Sequence, residues 1–307
     1  MVNNKTPFVA EEAMDLVKME TKGTYPHNGL VGLTFDNQGK VLFGLGENLG
    51  EAYTLTGSDG KTISGGGEGG GIFRCNPDGS KLERVATGLW NTFGIRVDGQ
   101  DRIFAIENDP DGCPPCRLLQ IVETGDYGFQ FRYGRTGKHP LQAWNGELPG
   151  TLGMIAGIGE APCDLLFCGD KLWVTSWGEN RIESYTLQPL GATFQAVREI
   201  VLEGDENFRP VCFARQADGT IYFSDWVNRS YNLHSKGRIW RLSWKDAAPK
   251  DAFLPLSDVE RVARQAAQSR ELEHLKHDDP FVRQAAVRGL VSAQNLDNIS
   301  LESLNDP

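Results

Sequence analysis

The sequence is poor in several features that would settle a role quickly. No stretch of about 18 consecutive apolar residues, the length a helix needs to cross a bilayer, occurs in its 307 residues, so no transmembrane segment is predicted. Basic residues are few: 31 Lys and Arg face 41 Asp and Glu, a formal net charge of −10. A protein that follows a phosphate backbone needs a positive face, so nucleic acid is excluded as a partner. The six cysteines are too few to staple a chain of this length into a disulfide scaffold. Two of them form Cys113-Pro-Pro-Cys116. The prolines deny Cys113 the helix N-terminus that activates redox thiols, and a loop or a local disulfide is expected there. No second CxxC and no HxxxH stands at a zinc-binding spacing, so no zinc site is predicted. The opening residues, Met1-Val-Asn-Asn-Lys-Thr-Pro-Phe8, contain neither an apolar core nor a small-residue cleavage site, and nothing in them directs export.

What is present is globular. Hydrophobic residues make up 39%, charged residues 23% and aromatic residues 9%, which excludes a wholly disordered chain. The 36 glycines and 15 prolines exceed the usual glycine share of roughly 7% and imply many tight turns, as in an all-β fold.

The strongest signal is internal repetition. Four segments share one plan of apolar strand, Asp/Gly turn, and second strand ending in acid or amide: Gly32-LTFDNQGKVLFGLGEN, Gly94-IRVDGQDRIFAIEND, Leu165-LFCGDKLWVTSWGEN and Cys212-FARQADGTIYFSDWVN. A third strand follows each, at Gly71, Cys116, Asn180 and Gly237. The second strands begin at Val41, Ile103, Leu172 and Ile221, offsets of 62, 69 and 49 residues. One such sheet cannot bury both faces, so the units are expected to stack radially into a β-propeller. A β-sandwich accounts for the strands but not for the repeated turn chemistry. The predicted organisation is an N-terminal extension at 1–13, a partial β-propeller of about four blades at 14–248, and a helical segment at 256–307. Residues 49–70, with Gly65-Gly-Gly-Glu-Gly-Gly-Gly71, are too permissive for regular structure and read as a rim loop or a linker. Residues 126–160 read as an aromatic loop folded over one face. In the tail, Ser257-Asp-Val-Glu260 is a capping box, and Asp279-Pro280 starts a second helix.

Equivalent strand ends of a propeller converge on one face. Here those ends are polar: Glu47 and Asn48; Glu107, Asn108 and Asp109; Glu179 and Asn180; Asp225 and Asn228. Clustered oxygens of this kind suit a hard cation such as Ca²⁺, whereas Asp and Asn are also ordinary turn residues. His27, just before the first repeat, is the candidate general base. Trp90-Asn91, Trp177 and Trp226 flank the strand ends, where a tryptophan serves a sugar ring or a planar cofactor, or packs between blades. Arg181 could neutralise an anionic ligand or pair with Glu179.

Taken in order, His27-Asn-Gly, GLTFDNQGKVLFGLGEN, GLWNTFGIRVDGQDRIFAIENDPDG and GDYGFQFRYG resemble the soluble quinoprotein glucose/sorbosone dehydrogenases. HPLQAWNGELPGTL, VTSWGENRIESY and YFSDWVNRSYNLHSKGRIWRL resemble more closely the large membrane-bound dehydrogenases of planctomycete-type bacteria, whose propeller is followed by HEAT repeats. The likeness runs over about residues 15 to 290, and the run at 278–290 is HEAT-like. It implies a six-bladed ring, of which this chain would hold about four blades, with Met14-DLVKMETKG as an outer strand of a further blade or a ring closure. It also implies pyrroloquinoline quinone (PQQ) bound with Ca²⁺, a sugar oxidised by hydride transfer, a cytochrome or other electron acceptor, and a periplasmic or cell-envelope location. By the same resemblance His27 is the catalytic base, and Asn48, Asn91 and Arg181 contact the quinone, as does Trp90 in the place of a family arginine. The resemblance places Asn108, Asp109 and Pro110 on the Ca²⁺ loop; the polar and aromatic strand ends add Glu107 to the candidate metal set and give Glu47, Trp177, Glu179, Asp225 and Trp226 as candidate sugar contacts. The alternatives are a non-catalytic propeller that binds glycans or proteins and a Ca²⁺-dependent lactonase-type propeller.

Overall fold

A computed structural model describes residues 13–25, 29–110 and 115–292. The protein is mostly β-sheet with two short α-helices. Each predicted repeat forms one antiparallel sheet. Sheet I contains β2 (Leu30–Phe35), β3 (Val41–Leu45), β6 (Gly70–Cys75) and β7 (Glu83–Leu89), with the short β11 (Gly125–Asp126) added in parallel. Sheet II contains β8 (Asn91–Val97), β9 (Ile103–Asn108), β10 (Cys116–Ile121) and β12 (Ala156–Ile158). Sheet III contains β13 (Pro162–Cys168), β14 (Lys171–Ser176), β15 (Arg181–Leu190) and β16 (Thr193–Glu203). Sheet IV contains β17 (Pro210–Arg215), β18 (Ile221–Asp225) and β19 (Arg238–Leu242).

The repeated turns have a local cause. Asp36 Oδ1 accepts the backbone N–H groups of Gln38 and Lys40, both at 2.9 Å, and Gly39 takes the left-handed φ of 78°. Asp98 repeats the arrangement with Gln100 and Arg102, at 2.8 and 2.9 Å. An aspartate that bonds its own backbone two residues on nucleates the reversal, and Asp218 does so in sheet IV through Thr220 N at 2.9 Å, whereas the sheet III turn relies on Gly169 at φ 66°.

The sheets fan out as the repeats predict. The first strands abut in series, β2 on β8, β8 on β13 and β13 on β17. Sheets I and II bury Leu42, Ile72, Ile95 and Leu119 between them. Sheets II and III bury Phe104, Leu118, Leu165 and Val174, and sheets III and IV bury Trp173, Ile182, Phe213 and Phe223. This is a propeller-like, all-β arrangement. One feature recurs that no residue pattern announced. Each first strand has a register shift against its neighbour near its start, at Val31/Thr34, Thr92/Gly94, Pro162/Leu165 and Pro210/Phe213. Bulges of this kind re-aim side chains beside functional sites.

One expectation is corrected. The glycine-rich stretch at 49–70 is not irregular: β4 (Tyr53–Gly57) and β5 (Thr62–Gly65) form a hairpin, and β1 (Val17–Thr21) pairs with β4 to complete a fifth, three-stranded sheet. Leu55, Val17 and Met19 of this sheet pack on Val41, Phe43 and Phe73, the face of sheet I turned away from sheet II. Met14-DLVKMETKG therefore contributes a strand to a sheet beside the first repeat. The helices of the tail pack on the sheets. Helices α1 (Asp258–Ala266) and α2 (Pro280–Ser292) place Ala266, Phe281, Val282 and Ala286 in the same core as Val85, Ala86, Ile103 and Ile121 of sheets I and II. The predicted capping box is present, and Asp279 Oδ1 caps α2 through Phe281 N at 2.8 Å. Arg102, only 4% exposed, joins sheet II to α1 through Glu260 at 2.7 Å and to the backbone oxygen of Leu254 at 2.8 Å. No helix of the described residues is long and apolar enough to cross a membrane.

Candidate active site

The polar strand ends lie along one continuous rim. Tyr25 N donates to Asn48 Oδ1 (3.1 Å), and Glu47 N donates to Trp90 O (2.7 Å). Asn91 and Asn108 are register partners across β8 and β9, and Asn108 Nδ2 reaches Pro162 O at 3.5 Å. Farther along, Trp177 N donates to Ala161 O (3.2 Å), Arg209 Nη1 to Trp177 O (2.7 Å), and Trp226 N to Arg209 O (2.8 Å). The ends of all four sheets are thus linked by short contacts on one face. His27 lies outside the described residues, two positions beyond Tyr25.

Several residues expected to face a ligand are instead committed to the fold. Glu107 is fully buried, and Arg117 stands directly opposite it in the β9–β10 register. Arg117 Nε and Nη2 bond its Oε2 at 3.0 and 2.6 Å, while Trp90 N donates to its Oε1. Burial pushes the Glu107 carboxyl up, against the pull of Arg117. With both oxygens occupied, Glu107 is withdrawn from any metal. Asp225 is occupied in the same way: Oδ1 accepts Arg209 N and Val227 N, both at 2.8 Å, and Oδ2 accepts Arg238 Nε at 2.9 Å and Trp240 Nε1 at 2.8 Å. Arg181 takes the plainer role, pairing with Glu179 and with the buried Glu183, at 2.7 Å from Nε. Glu183 also holds Tyr185 Oη at 2.5 Å and Gly159 N at 3.1 Å. Arg181 is therefore not spare for an anionic ligand.

Trp90 is buried in an aromatic cluster with Phe129 (5.4 Å), Phe131 (6.4 Å) and Tyr25 (5.9 Å). The aromatic loop supplies this cluster, and Arg117 fastens it there. Arg117 donates to the backbone oxygens of Tyr127 and Trp144 at 2.8 and 2.6 Å, and its guanidinium lies 3.6 Å over the Trp144 ring. A second guanidinium from the loop, that of Arg135, stands 4.7 Å from the Trp90 ring centre. Sequence reasoning missed Arg117 and Arg135, because no local pattern marks an arginine that packs against residues distant in the chain.

Other rim positions differ in burial and in partners. Asn91 is 4% exposed, and its Oδ1 finds no hydrogen-bond partner among the described residues. Glu47 is buried with Oε1 on Gly50 N at 2.6 Å, and burial, then the Glu68 charge, pushes its carboxyl up. Asp109 and Pro110 follow β9 as buried residues. Trp177 stacks on the exposed Tyr231 at 5.4 Å, and Trp226 meets the His234 ring edge-on at 5.0 Å. These rings give the rim a partly exposed aromatic surface at the sheet III–IV end.

No family model matches the sequence, and no curated protein is similar to it. Similarity is found among solved structures. The PQQ-bound aldose sugar dehydrogenase of Streptomyces coelicolor superposes with a TM-score of 0.51 at 20% identity, over 70% of this chain and 62% of that one. An oxidoreductase of the glucose dehydrogenase type from Thermus thermophilus gives 0.50 at 17% identity, over 70% of this chain and 83% of that one. The chain therefore spans less than two thirds of the Streptomyces enzyme's length. At these identities the likeness establishes the fold alone, that of the soluble quinoprotein dehydrogenases.

Proposed function

We propose that the protein is a quinoprotein-type sugar dehydrogenase whose rim takes PQQ together with Ca²⁺ and an aldose or related sugar. The observation that carries this reading is the Asn91 amide. A carboxamide oxygen buried without a partner costs about 1–3 kcal/mol, and a cofactor donor or a cation would relieve that cost. Asn91 lies at the position that the resemblance gives to the quinone.

The surrounding residues fit such a group in part, with one exchange of roles. Trp90 replaces the family arginine and is buried, and Arg135 brings a guanidinium over its ring from the aromatic loop. In this reading Asn91, Asn48 and Arg135 hold the quinone, and Asn108, Asp109 and Pro110 supply backbone oxygens to Ca²⁺. The bound pair supplies a hydride acceptor and a Lewis acid. The chain's own part is to bind, orient and move a proton: His27 takes the sugar hydroxyl proton, and Trp177, Tyr231 and Trp226 present flat faces to the sugar ring. A cytochrome or other acceptor and a periplasmic or cell-envelope location belong to the same proposal.

The test is calorimetry and dye reduction on the whole chain with PQQ, Ca²⁺ and a panel of aldoses. Quinone binding and His27-dependent turnover are expected. Asn91→Ala should weaken quinone binding about tenfold, one charge-assisted hydrogen bond, without loss of stability. Absence of quinone binding, or undiminished turnover in His27→Ala, overturns the proposal. One observation favours a second reading. Arg181 is consumed by Glu179 and Glu183, so a propeller that binds sugar without quinone follows if calorimetry gives sugar binding alone. A lactonase-type reading is disfavoured, because Glu107 and Asp225 have no oxygen spare for a catalytic metal.

A further inference from the structure

The residue spacing gave no reason to expect a zinc site, yet the fold brings three metal-ligating side chains together from three separate segments. Asp109 follows β9, Cys116 opens β10, and Glu160 lies in the connection between β12 and β13. Their donor atoms all lie within 4.8 Å of one another. Cys116 Sγ is 3.9 Å from Asp109 Oδ1 and 3.6 Å from Glu160 Oε2.

Those separations have a chemical meaning. With zinc–sulfur bonds of about 2.3 Å and zinc–oxygen bonds of about 2.0–2.2 Å, a tetrahedral site has sulfur–oxygen edges of about 3.6 Å. The protein holds the sulfur and the two carboxylate oxygens near this spacing.

The surrounding fold holds the ligands in place. Glu160 is fixed at its backbone oxygen by Gly178 N at 2.9 Å and Ser176 Oγ at 3.1 Å. Cys116 and Asp109 are buried, whereas Glu160 is exposed, so an ion can enter from solvent on the Glu160 side.

We propose that Asp109, Cys116 and Glu160 bind one zinc-class divalent cation, which staples the β9–β10 connection of sheet II to the connection leading into sheet III. A thiolate with two carboxylates selects a borderline metal over the hard Ca²⁺. Among the described residues three side chains supply ligands, which leaves a fourth position for water. On binding, the Cys116 S–H bond breaks, its proton leaves to solvent, and the sulfur lone pair forms the metal bond. The site does not depend on the quinone reading, because its readout requires neither quinone nor sugar.

Cobalt(II) serves as the probe. The whole chain, stripped with chelator and titrated with Co²⁺, should develop a thiolate-to-cobalt charge-transfer band at one equivalent, which Zn²⁺ bleaches and equimolar Ca²⁺ does not. Cys116→Ser should remove the band, and Cys212→Ser, at an exposed thiol, should leave it intact. Asp109→Asn and Glu160→Gln should each weaken cobalt binding by at least about tenfold. Glu160→Gln changes an exposed side chain and keeps the test valid should Cys116→Ser fail to fold. The proposal is overturned if folded wild-type protein gives no such band, if the band survives Cys116→Ser, or if both carboxamide variants bind cobalt as wild type does.

Discussion

Arg117 is the residue whose removal tests the architecture of the rim most severely. It is fully buried, bonds both Glu107 and three backbone oxygens, those of Tyr127, Trp144 and Gly88, and covers the Trp144 ring. Arg117→Met keeps most of the volume but leaves Glu107 buried beside Trp90 N with no cation. Breaking one side of a buried pair costs about 3–5 kcal/mol, a large part of a typical total stability of about 5–15 kcal/mol. At roughly 2–4 °C per kcal/mol, melting should fall by about 10 °C. The pH dependence supplies a sharper signature. Burial already pushes the Glu107 carboxyl up, and without the guanidinium nothing comparable opposes it. The folded variant then binds more protons than the unfolded chain, so its stability falls as pH rises above about 4.3. Thermal and urea melts at about pH 5 and about pH 8 should therefore show a larger deficit at the higher pH. The double variant Arg117→Met with Glu107→Leu removes the orphaned charge and should recover at least about 1 kcal/mol. A single variant that melts within about 2 °C of wild type, or whose deficit is the same at both pH values, refutes the idea that this pair holds the aromatic loop to sheet II.

Two further predictions concern how the sheets are joined to the tail and to the loop. Burial pushes the Glu123 carboxyl up, but the guanidiniums of Arg74, at 2.7 Å, and Arg288 of α2 outweigh it and hold the group below its ordinary range. Its folded-state pKa is depressed, so its stabilisation is present above about pH 4.3 and is lost as pH falls through the folded value. Amide protection factors in α2, taken relative to the intrinsic exchange rate at each pH, should fall on acidification before the sheets open, and Glu123→Gln should produce a milder version of this at neutral pH; protection that is insensitive to both sinks the assignment. Gly88 has φ 77°, and a Cβ there would lie 2.5 Å from Gly128 N and 2.3 Å from Asp126 Oδ1. Gly88→Ala should cost at least about 2 kcal/mol from left-handed strain and overlap, measured as the urea midpoint at unchanged slope.

The sequence made the repeats legible because their chemistry is local. An Asp two residues before its own turn and a hydrophobic alternation of period two sit within about eight residues of each other, and the four sheets appear where those signals fall. The hairpin at Tyr53–Gly65 was legible by the same rule, since Tyr53-Thr-Leu-Thr, Asp59-Gly60 and Thr62-Ile-Ser alternate about a turn, with Gly60 at φ 80°. It was hidden because the glycines of the neighbouring run dominated the reading, although Gly65 ends one strand and Gly70 begins the next.

What stayed illegible depends on registers that residues far apart settle together. Glu107 and Arg117 face each other because the β9–β10 connection sets that register, and no rule for a single strand says that both are buried. The roles of the acidic strand ends are not legible, because a carboxylate at a strand end looks the same whether it faces a ligand or an arginine. Glu107, Glu179 and Asp225 face arginines. Asn91 and Asn180, neutral amides that form no ion pair with an arginine, are rim residues left with an unsatisfied oxygen, and Asn91 is the more deeply buried of the two. The distinction bears on function: in a rim where charged groups find their partners within the fold, the neutral amide retains binding capacity, and a ligand site is best sought around Asn91.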